Sequence, residues 1–313
     1  MFISVVIPLF NKEAFILRAI HSVLNQTYSN FELIIVNDGS TDDSANLVQT
    51  IADARVRLFQ QSNGGVSKAR NKGVELAQAD WVAFLDADDE YLPHFLETMV
   101  SFILENRDPN ICMVGANYYL GDTSHVSLDI EIGNGIYSYF DLFGNQRSPN
   151  HSSTTVVCKD KFIETGGFPE GVKQFEDWIA WFKLGFAGHF GYISTPLGIY
   201  HRVECSASRS KRNMKAFFDD AVLLPQLVYQ YTKNNSLEAG KRESAINCIS
   251  EFSFNIAVIL AHHGGKILAL KMLRFVKLTS LLKNREWKWK KLIVHLIIPQ
   301  YLKTVYWRAY GKI

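Results

Sequence analysis

Three carboxylates stand together in Asp86-Ala87-Asp88-Asp89, directly after the apolar run Trp81-Val82-Ala83-Phe84-Leu85. A fully apolar, β-branched and aromatic run reads as a buried strand, and open α/β sheets bind their ligands at the carboxyl ends of such strands. Acids two residues apart repel one another, and a hard divalent cation relieves that repulsion. Mg²⁺ and Mn²⁺ are held by one or two carboxylates together with substrate phosphates, so the pattern points to a metal-diphosphate site. The same acids would also serve as turn and helix-start residues ahead of Pro93, because Asp is favoured in both places. The spacing alone leaves both readings open.

A second candidate follows the first strand. In a dinucleotide-binding enzyme that strand runs into G-x-G-x-x-G, whereas Ile3 to Ile7 here runs into Pro8-Leu9-Phe10-Asn11-Lys12-Glu13, with no glycine. The chain also lacks G-x-x-x-x-G-K-[ST], which argues against a P-loop. What persists of the nucleotide-binding logic is Asp38 in Val36-Asn37-Asp38-Gly39-Ser40, an acceptor at the end of the second strand. It would receive hydrogen bonds from a base or ribose, or else cap a helix beginning near Thr41.

The elements that must position these residues are legible over the first hundred positions. Runs at Ile3 to Ile7, Leu33 to Val36, Val56 to Phe59 and Trp81 to Leu85 alternate with helical patterns, as βαβ units around a parallel sheet require. One helix follows Asn11 as cap, with Ile16, Ala19, Ile20 and Val23 on its apolar face; another follows Ser40 to Asp42. A third spans Val66 to Ala79, and a fourth starts at Pro93 with Leu96, Met99, Val100 and Ile103 on one face. From Ile111 to about Tyr200 short strands mix with Gly-rich turns and a helix around Trp178 to Leu184, and beyond Ser206 the pattern turns helical.

Charge divides the chain more sharply than its net +2 suggests. Residues 1–205 carry 14 Lys+Arg against 25 Asp+Glu, and residues 206–313 carry 19 against 6. A basic C-terminal part is expected to meet an anionic surface, and the absence of helix-turn-helix, zinc-finger and RNP patterns argues against nucleic acid. Cys112, Cys158, Cys205 and Cys248 show no metal-ligand or disulfide-framework spacing, which fits a reducing cytosol. The N-terminus reads as a strand and not a signal peptide. The longest apolar runs, Ile256 to Ala261 and Leu292 to Ile298, fall short of the roughly 20 residues a spanning helix needs, so no transmembrane segment is expected.

Read in order, the motifs resemble glycosyltransferase family 2, whose members share the GT-A fold. The resemblance is carried by Pro8-Leu9-Phe10-Asn11-Lys12-Glu13, Ser22-Val23-Leu24-Asn25-Gln26-Thr27-Tyr28 and Asn37-Asp38-Gly39-Ser40-Thr41-Asp42. It continues through Asn63-Gly64-Gly65-Val66-Ser67-Lys68-Ala69-Arg70-Asn71, Phe84-Leu85-Asp86-Ala87-Asp88-Asp89, Gly166-Gly167-Phe168 and Glu176-Asp177-Trp178. It does not extend past about residue 205.

That resemblance implies a GT-A catalytic domain over residues 1–205, with a nucleotide-binding half (1–100) and an acceptor-binding half (101–205), followed by a basic, mainly helical region over 206–313. It implies transfer of a sugar, with inversion, from a nucleotide diphosphate donor, a UDP-hexose or UDP-N-acetylhexosamine, to a glycan hydroxyl in surface polysaccharide synthesis. Pro8, Phe10, Asn11 and Glu13 would line the base and ribose pocket, Asp38 would recognise the base, and Gly65, Lys68 and Arg70 would face the base or diphosphate. Asp86 and Ala87 would meet the ribose, and Asp88 would hold Mn²⁺ or Mg²⁺. Asp177 would be the general base, with Glu176 and Trp178 beside the acceptor. Glu13 would equally complement a helix dipole, Lys68 a solvated face, and Asp177 an N-cap.

One departure concerns histidine. Many relatives close the domain with Tyr-Arg-x-His before Ser-x-Ser, but here Tyr200-His201-Arg202-Val203 precedes Ser206-Ala207-Ser208, leaving His201, two residues early, as a candidate metal ligand. An inactive glycan- or nucleotide-binding module is the alternative, opposed by the full set Asp38, Asp86, Asp88 and Asp177. The tail from Lys283 to Ile313 has eight Lys+Arg, one acid and the interfacial aromatics Trp287, Trp289, Tyr301, Tyr306, Trp307 and Tyr310. It suits a helix lying on an anionic membrane, with the enzyme cytoplasmic and peripheral on the inner face beside a lipid-linked glycan acceptor. Packing of the same aromatics as core is the competing expectation.

Overall fold

The computed structural model describes residues 1–127, 132–143, 148–201, 213–233 and 237–277. The expected membrane-binding tail beyond Lys283 and the serines after His201 lie outside the described residues. The chain divides into two compact units: Met1–Leu142 with Arg147–Ser208 form the first, and the described helices beyond residue 213 belong to the second.

In the first unit, β1 (Ile3–Leu9), α1 (Ile16–Leu24), β2 (Phe31–Asn37), α2 (Ser44–Gln49), β3 (Val56–Gln60), α3 (Val66–Leu76) and β4 (Trp81–Phe84) alternate. After β4 come β5 (Glu90–Tyr91), α4 (Phe95–Asn106), β6 (Ile111–Leu120), β7 (Gly135–Tyr137) and α5 (Tyr139–Leu142). Then follow β8 (Thr155–Cys158), α6 (Lys159–Glu164), α7 (Glu176–Ala187) and β9 (His189–Tyr200). One sheet runs in the order β3-β2-β1-β4-β8-β6-β9-β5, with β7 also paired to β9.

The first four strands are parallel, with Val6 beside both Ile34 and Phe84. β1 and β2 are buried at every position, which is why they read as unbroken apolar runs. Beyond β4 the sheet is mixed: β8 returns antiparallel between β4 and β6, while β9 is parallel to β6. That reversal matters for the site, because it carries the segment just before β8 to the carboxyl end of β4.

α3 lies close on β1. A Cβ at Gly73 would stand 2.2 Å from Val6 Cγ1, so glycine is required for this approach. Behind the site an aromatic cluster of Phe84, Phe162, Phe168 and Trp181 packs with ring centroids 5.1 to 6.2 Å apart. These four rings are fully buried and fix α6 and α7 against β4.

Several helix starts differ from the sequence reading. Asn11 does not cap α1: it adopts φ 50° in the left-handed region, and α1 starts only at Ile16. α3 stops at Leu76 and not Ala79, and α4 begins at Phe95, two residues past Pro93. Asp177 is not an N-cap but sits in the first turn of α7, whose cap residue is Phe175.

The second unit contains α8 (Met214–Ala221), α9 (Leu223–Thr232), α10 (Ala239–His262) and α11 (Lys266–Leu273). Against the expectation that no segment would be long enough to span a bilayer, α10 has the length and apolarity to do so over its 24 residues. Much of it is nonetheless buried in the protein, including Ala245, Ile249, Phe252, Phe254, Ile256, Ala257 and Leu260, as in a core helix.

Candidate functional site

The site begins where β1 ends. Pro8 is buried within β1, Phe10 is 44% exposed, and the segment from Asn11 to Glu13 is laced to residues 40–44. Asn11 N–H donates to Ser40 Oγ at 3.1 Å, and Asn11 Oδ1 accepts from Thr41 N–H at 2.8 Å. Lys12 N–H donates to Ser44 Oγ at 2.8 Å and Glu13 N–H to Asp42 Oδ2 at 3.1 Å. Glu13 Oε2 in turn accepts from Asp43 N–H at 2.9 Å. Its carboxylate therefore serves the amino end of α2, not the start of α1, where an acid complements the helix dipole.

Asp38, at the end of β2, is 2% exposed, and both of its oxygens are engaged. Oδ1 accepts from Gln61 Nε2 at 2.7 Å and Gly64 N–H at 2.8 Å; Oδ2 accepts from Gly65 N–H at 2.8 Å. It caps no helix near Thr41. Instead it clamps the loop that opens α3, where Gly65 takes φ 89°, a conformation natural only to glycine. Lys68, one turn on, is exposed, whereas Arg70 points inward.

Arg70 organises the acidic side of the site. Its side chain is 4% exposed; Nη2 meets Asp86 Oδ1 at 2.6 Å, Nη1 meets Glu176 Oε1 at 3.4 Å, and the guanidinium lies 5.1 Å from the centroid of Phe168. A buried guanidinium is tolerable only when so paired. Burial works against its charge, but Asp86 and Glu176 outweigh that and hold Arg70 protonated beyond its ordinary range. Asn71 braces the arrangement: its Nδ2 donates to Phe168 O at 2.9 Å and its Oδ1 accepts from Phe168 N–H at 3.0 Å.

The carboxylates in the turn after β4 diverge in environment. Burial alone would raise Asp86, yet Arg70, His151 and Lys12 bring it below the usual carboxylate range. Asp88 is turned toward Lys12, whose Nζ donates to Oδ2 at 2.6 Å, while Arg18 Nη2 donates to the Asp88 carbonyl at 2.5 Å. Ala87 between them is buried. Asp89 is buried completely: Ser153 Oγ donates to Oδ2 at 2.5 Å and His201 N–H to Oδ1 at 2.9 Å. Burial and the charges of Asp86 and Asp88 push its carboxyl well above the ordinary value.

Two histidines reach this turn. His201 does arrive beside the acids, but its Nε2 pairs with Glu90 Oε1 at 2.6 Å, and Glu90 also meets Arg18 Nε at 3.2 Å. His151 was not singled out in the sequence. Its Nδ1 lies 3.7 Å from Asp89 Oδ2, and its ring is flanked by Tyr118 and Tyr200 at centroid distances of 5.4 and 4.7 Å. Burial lowers the His151 pKa, partly countered by Asp86 and Asp177.

Asp86, Asp89 and His151 offer ligand atoms within 4.8 Å of one another. With Asp88 in the same turn, this set of carboxylates and one imidazole fits a divalent cation such as Mn²⁺ or Mg²⁺ by ligand chemistry. Sequence reading found Asp86 and Asp88; Asp89 stood in the same run, but nothing local in Asn150-His151-Ser152-Ser153 marks it as belonging there.

Across from β4, α7 presents Glu176 and Asp177. Phe175 ahead of them takes φ 67°, a costly conformation for an aromatic residue and one that clusters at functional sites. Asp177 Oδ1 accepts from Trp178 N–H at 2.8 Å, and the half-buried Trp178 ring lies 5.6 Å from Phe175. Burial, reinforced by the Asp177 charge and opposed by Arg70, pushes Glu176 up to about 7. Burial likewise raises Asp177, against the pull of His151 and Arg70. A buried carboxylate of raised pKa is suited to accept a proton near neutral pH.

Residues 4–165 match the model of the family described as glycosyl transferase family 2. An uncharacterised glycosyltransferase of Rickettsia bellii (strain RML369-C) is 32% identical over 204 residues, covering 62% of this chain and 28% of that protein. The chain therefore spans less than a third of that relative's length. Among solved structures, S. aureus TarS 1–349 in complex with UDP-GlcNAc superposes with a TM-score of 0.66 at 17% identity, covering 88% of this chain and 90% of that one. The mannosyltransferase PcManGT from Pyrobaculum calidifontis, in complex with GDP-Man and Mn2+, gives 0.57 at 15% identity over 99% and 88%. At these identities the likeness establishes a shared fold, the GT-A arrangement of a central sheet flanked by helices.

Proposed function

Because the chain belongs to glycosyltransferase family 2, we propose that it transfers a sugar from a nucleotide diphosphate donor to a hydroxyl of a glycan acceptor, with a divalent cation and with inversion at the anomeric carbon. The observation that carries this reading is the meeting of Asp86, Asp88 and Asp89 with the buried Arg70 and its partner Glu176 at the carboxyl end of β4. A UDP-hexose or UDP-N-acetylhexosamine is the donor we favour. Support comes from TarS, solved with UDP-GlcNAc, and from the order of the family motifs.

In this reading Phe10, Asn11 and Glu13 border the nucleoside. Asp38 contributes by fixing the Gly64-Gly65 loop, since its oxygens are already occupied by that loop. Arg70 holds Asp86 ionised and in place beside the ribose. Asp88, with Asp89 and His151 as neighbours, would hold Mn²⁺ or Mg²⁺. A cation held there would supply electrostatic stabilisation of a departing diphosphate, worth several kcal/mol. Asp177 takes the proton of the acceptor hydroxyl, and burial keeps its basicity above that of an ordinary aspartate. Glu176 and Trp178 form the acceptor side, and the acceptor itself is a surface glycan intermediate, lipid-linked and reached from the cytoplasmic face.

Hydrolysis of a panel of UDP-, GDP- and dTDP-sugars, each with and without Mn²⁺, tests this reading. One nucleotide sugar should be cleaved in a metal-dependent way, and the activity should vanish in Asp88→Asn. Absence of binding and turnover across the whole panel would overturn it.

A further inference from the structure

Lys12 and Asp88 form an ion pair across the mouth of the site, Nζ to Oδ2 at 2.6 Å. Building on the reading of Asp88 as the carboxylate that holds the divalent cation, we propose that Lys12 is a built-in competitor for that cation. It neutralises Asp88 when no donor is present, so the metal binds together with a nucleoside diphosphate and only poorly without one.

An ammonium and a divalent ion seek the same carboxylate oxygens, and two cations cannot share them without mutual repulsion unless further negative charge is supplied. The protein ligands beside Asp88 are already partly committed: Asp86 is paired with Arg70, and Asp89 with Ser153 and the His201 amide. A diphosphate supplies the missing charge. Mg²⁺ and Mn²⁺ bind through few carboxylates plus substrate phosphates, so the diphosphate provides metal ligands and gives the displaced ammonium a new counter-ion at once.

The Lys12 backbone is fixed, its N–H donating to Ser44 Oγ at 2.8 Å and its carbonyl accepting from Phe15 and Ile16 N–H at 2.9 Å each. Asp88 is held independently through its carbonyl by Arg18. Neither partner therefore needs the ion pair in order to stay in place. The Lys12 and Asp88 side chains remain 22% and 16% exposed, so the ammonium can leave by rotation of its flexible stem without unpacking the core.

The experiment measures metal and not turnover. Free Mn²⁺ is followed by electron paramagnetic resonance as it is titrated into the full chain, with and without UDP, for wild type, Lys12→Met, Lys12→Gln, Lys12→Arg and Asp88→Asn. Without UDP, the two neutral Lys12 variants should bind Mn²⁺ about fivefold tighter than wild type, the worth of one partly exposed ion pair. Lys12→Arg should behave like wild type, which separates charge from shape. UDP should tighten Mn²⁺ binding more in wild type than in Lys12→Met or Lys12→Gln. If both neutral variants match wild type without UDP while Asp88→Asn still abolishes UDP-dependent binding, the metal site stands and the competitor role of Lys12 is refuted. If no protein binds Mn²⁺ even with UDP, the metal reading of Asp88 fails and this inference fails with it.

Discussion

Arg70→Met should destabilise the first unit, and the cost should grow with pH. The wild-type guanidinium is 4% exposed and pairs with two carboxylates, Asp86 and Glu176, with Asp177 close by. Methionine fills much of the volume and leaves those partly buried acids without their cation. Breaking a buried pair in this way costs about 3–5 kcal/mol. The acids can escape part of that cost by taking up protons, and here the sign matters. In the wild type Asp86 is held below its ordinary pKa, so it contributes stability that is present above its unfolded value and lost as pH falls. Without Arg70 burial dominates, the Asp86 pKa rises, and its contribution is instead lost as pH rises. The difference between wild type and variant should therefore be near its maximum at pH 8 and shrink toward pH 5. Urea unfolding at both pH values, followed by a probe placed in residues 1–142, gives the comparison. A loss below about 1 kcal/mol that is the same at pH 5 and pH 8 would refute the claim that Arg70 is what allows the acids to be ionised there.

The other expectations can be tested in parallel. Asp177→Asn should lower transfer by about 10² to 10⁴ while leaving UDP affinity unchanged, and should remove the acidic limb of the rate profile, on which the wild-type rate rises with pH as Asp177 ionises; a wild-type rate in this variant contradicts the base assignment. Glu176→Gln should gain stability relative to wild type as pH rises through about 7, because a carboxyl whose folded pKa is raised from 4.5 to about 7 loses its contribution over that window; parallel stability curves for the two proteins would argue against a protonated Glu176. Gly73→Ala should destabilise by roughly 1–3 kcal/mol, since its Cβ would stand 2.2 Å from Val6 Cγ1, and a neutral result in a melting experiment would mean that α3 can move off β1.

Legibility from sequence followed the locality of each signal. β1, β2 and β4 were readable because strands buried on both faces leave unbroken apolar runs, and the acids at the end of β4 were readable because they are contiguous. α1 does not start at Asn11 because the Asn11 side chain faces Thr41, a partner thirty residues away, and not its own helix. For Glu13 and Asp38 only the helix-start alternatives are set aside, because their partners, Asp43 and the Gly64-Gly65 loop, come from other connections. β9 mixes Gly, Ser, Thr and Pro across twelve residues and shows no clean period, so its long pairing with β6 left little trace in the pattern. His151 leaves no local signal for the same physical reason. It reaches Asp89 because β8 runs antiparallel beside β4, and such a return is a property of topology that no spacing within Asn150-His151-Ser152-Ser153 encodes.

A divalent cation and a nucleoside diphosphate should bind together at the turn after β4. The most direct measurement is anomalous scattering at the manganese edge from crystals grown with UDP and Mn²⁺. The account predicts one manganese peak beside Asp88, shared with the UDP phosphates and lying at the carboxyl end of β4. Bound UDP with no manganese at that turn, or manganese held elsewhere while Asp88 stays paired with Lys12, would contradict it.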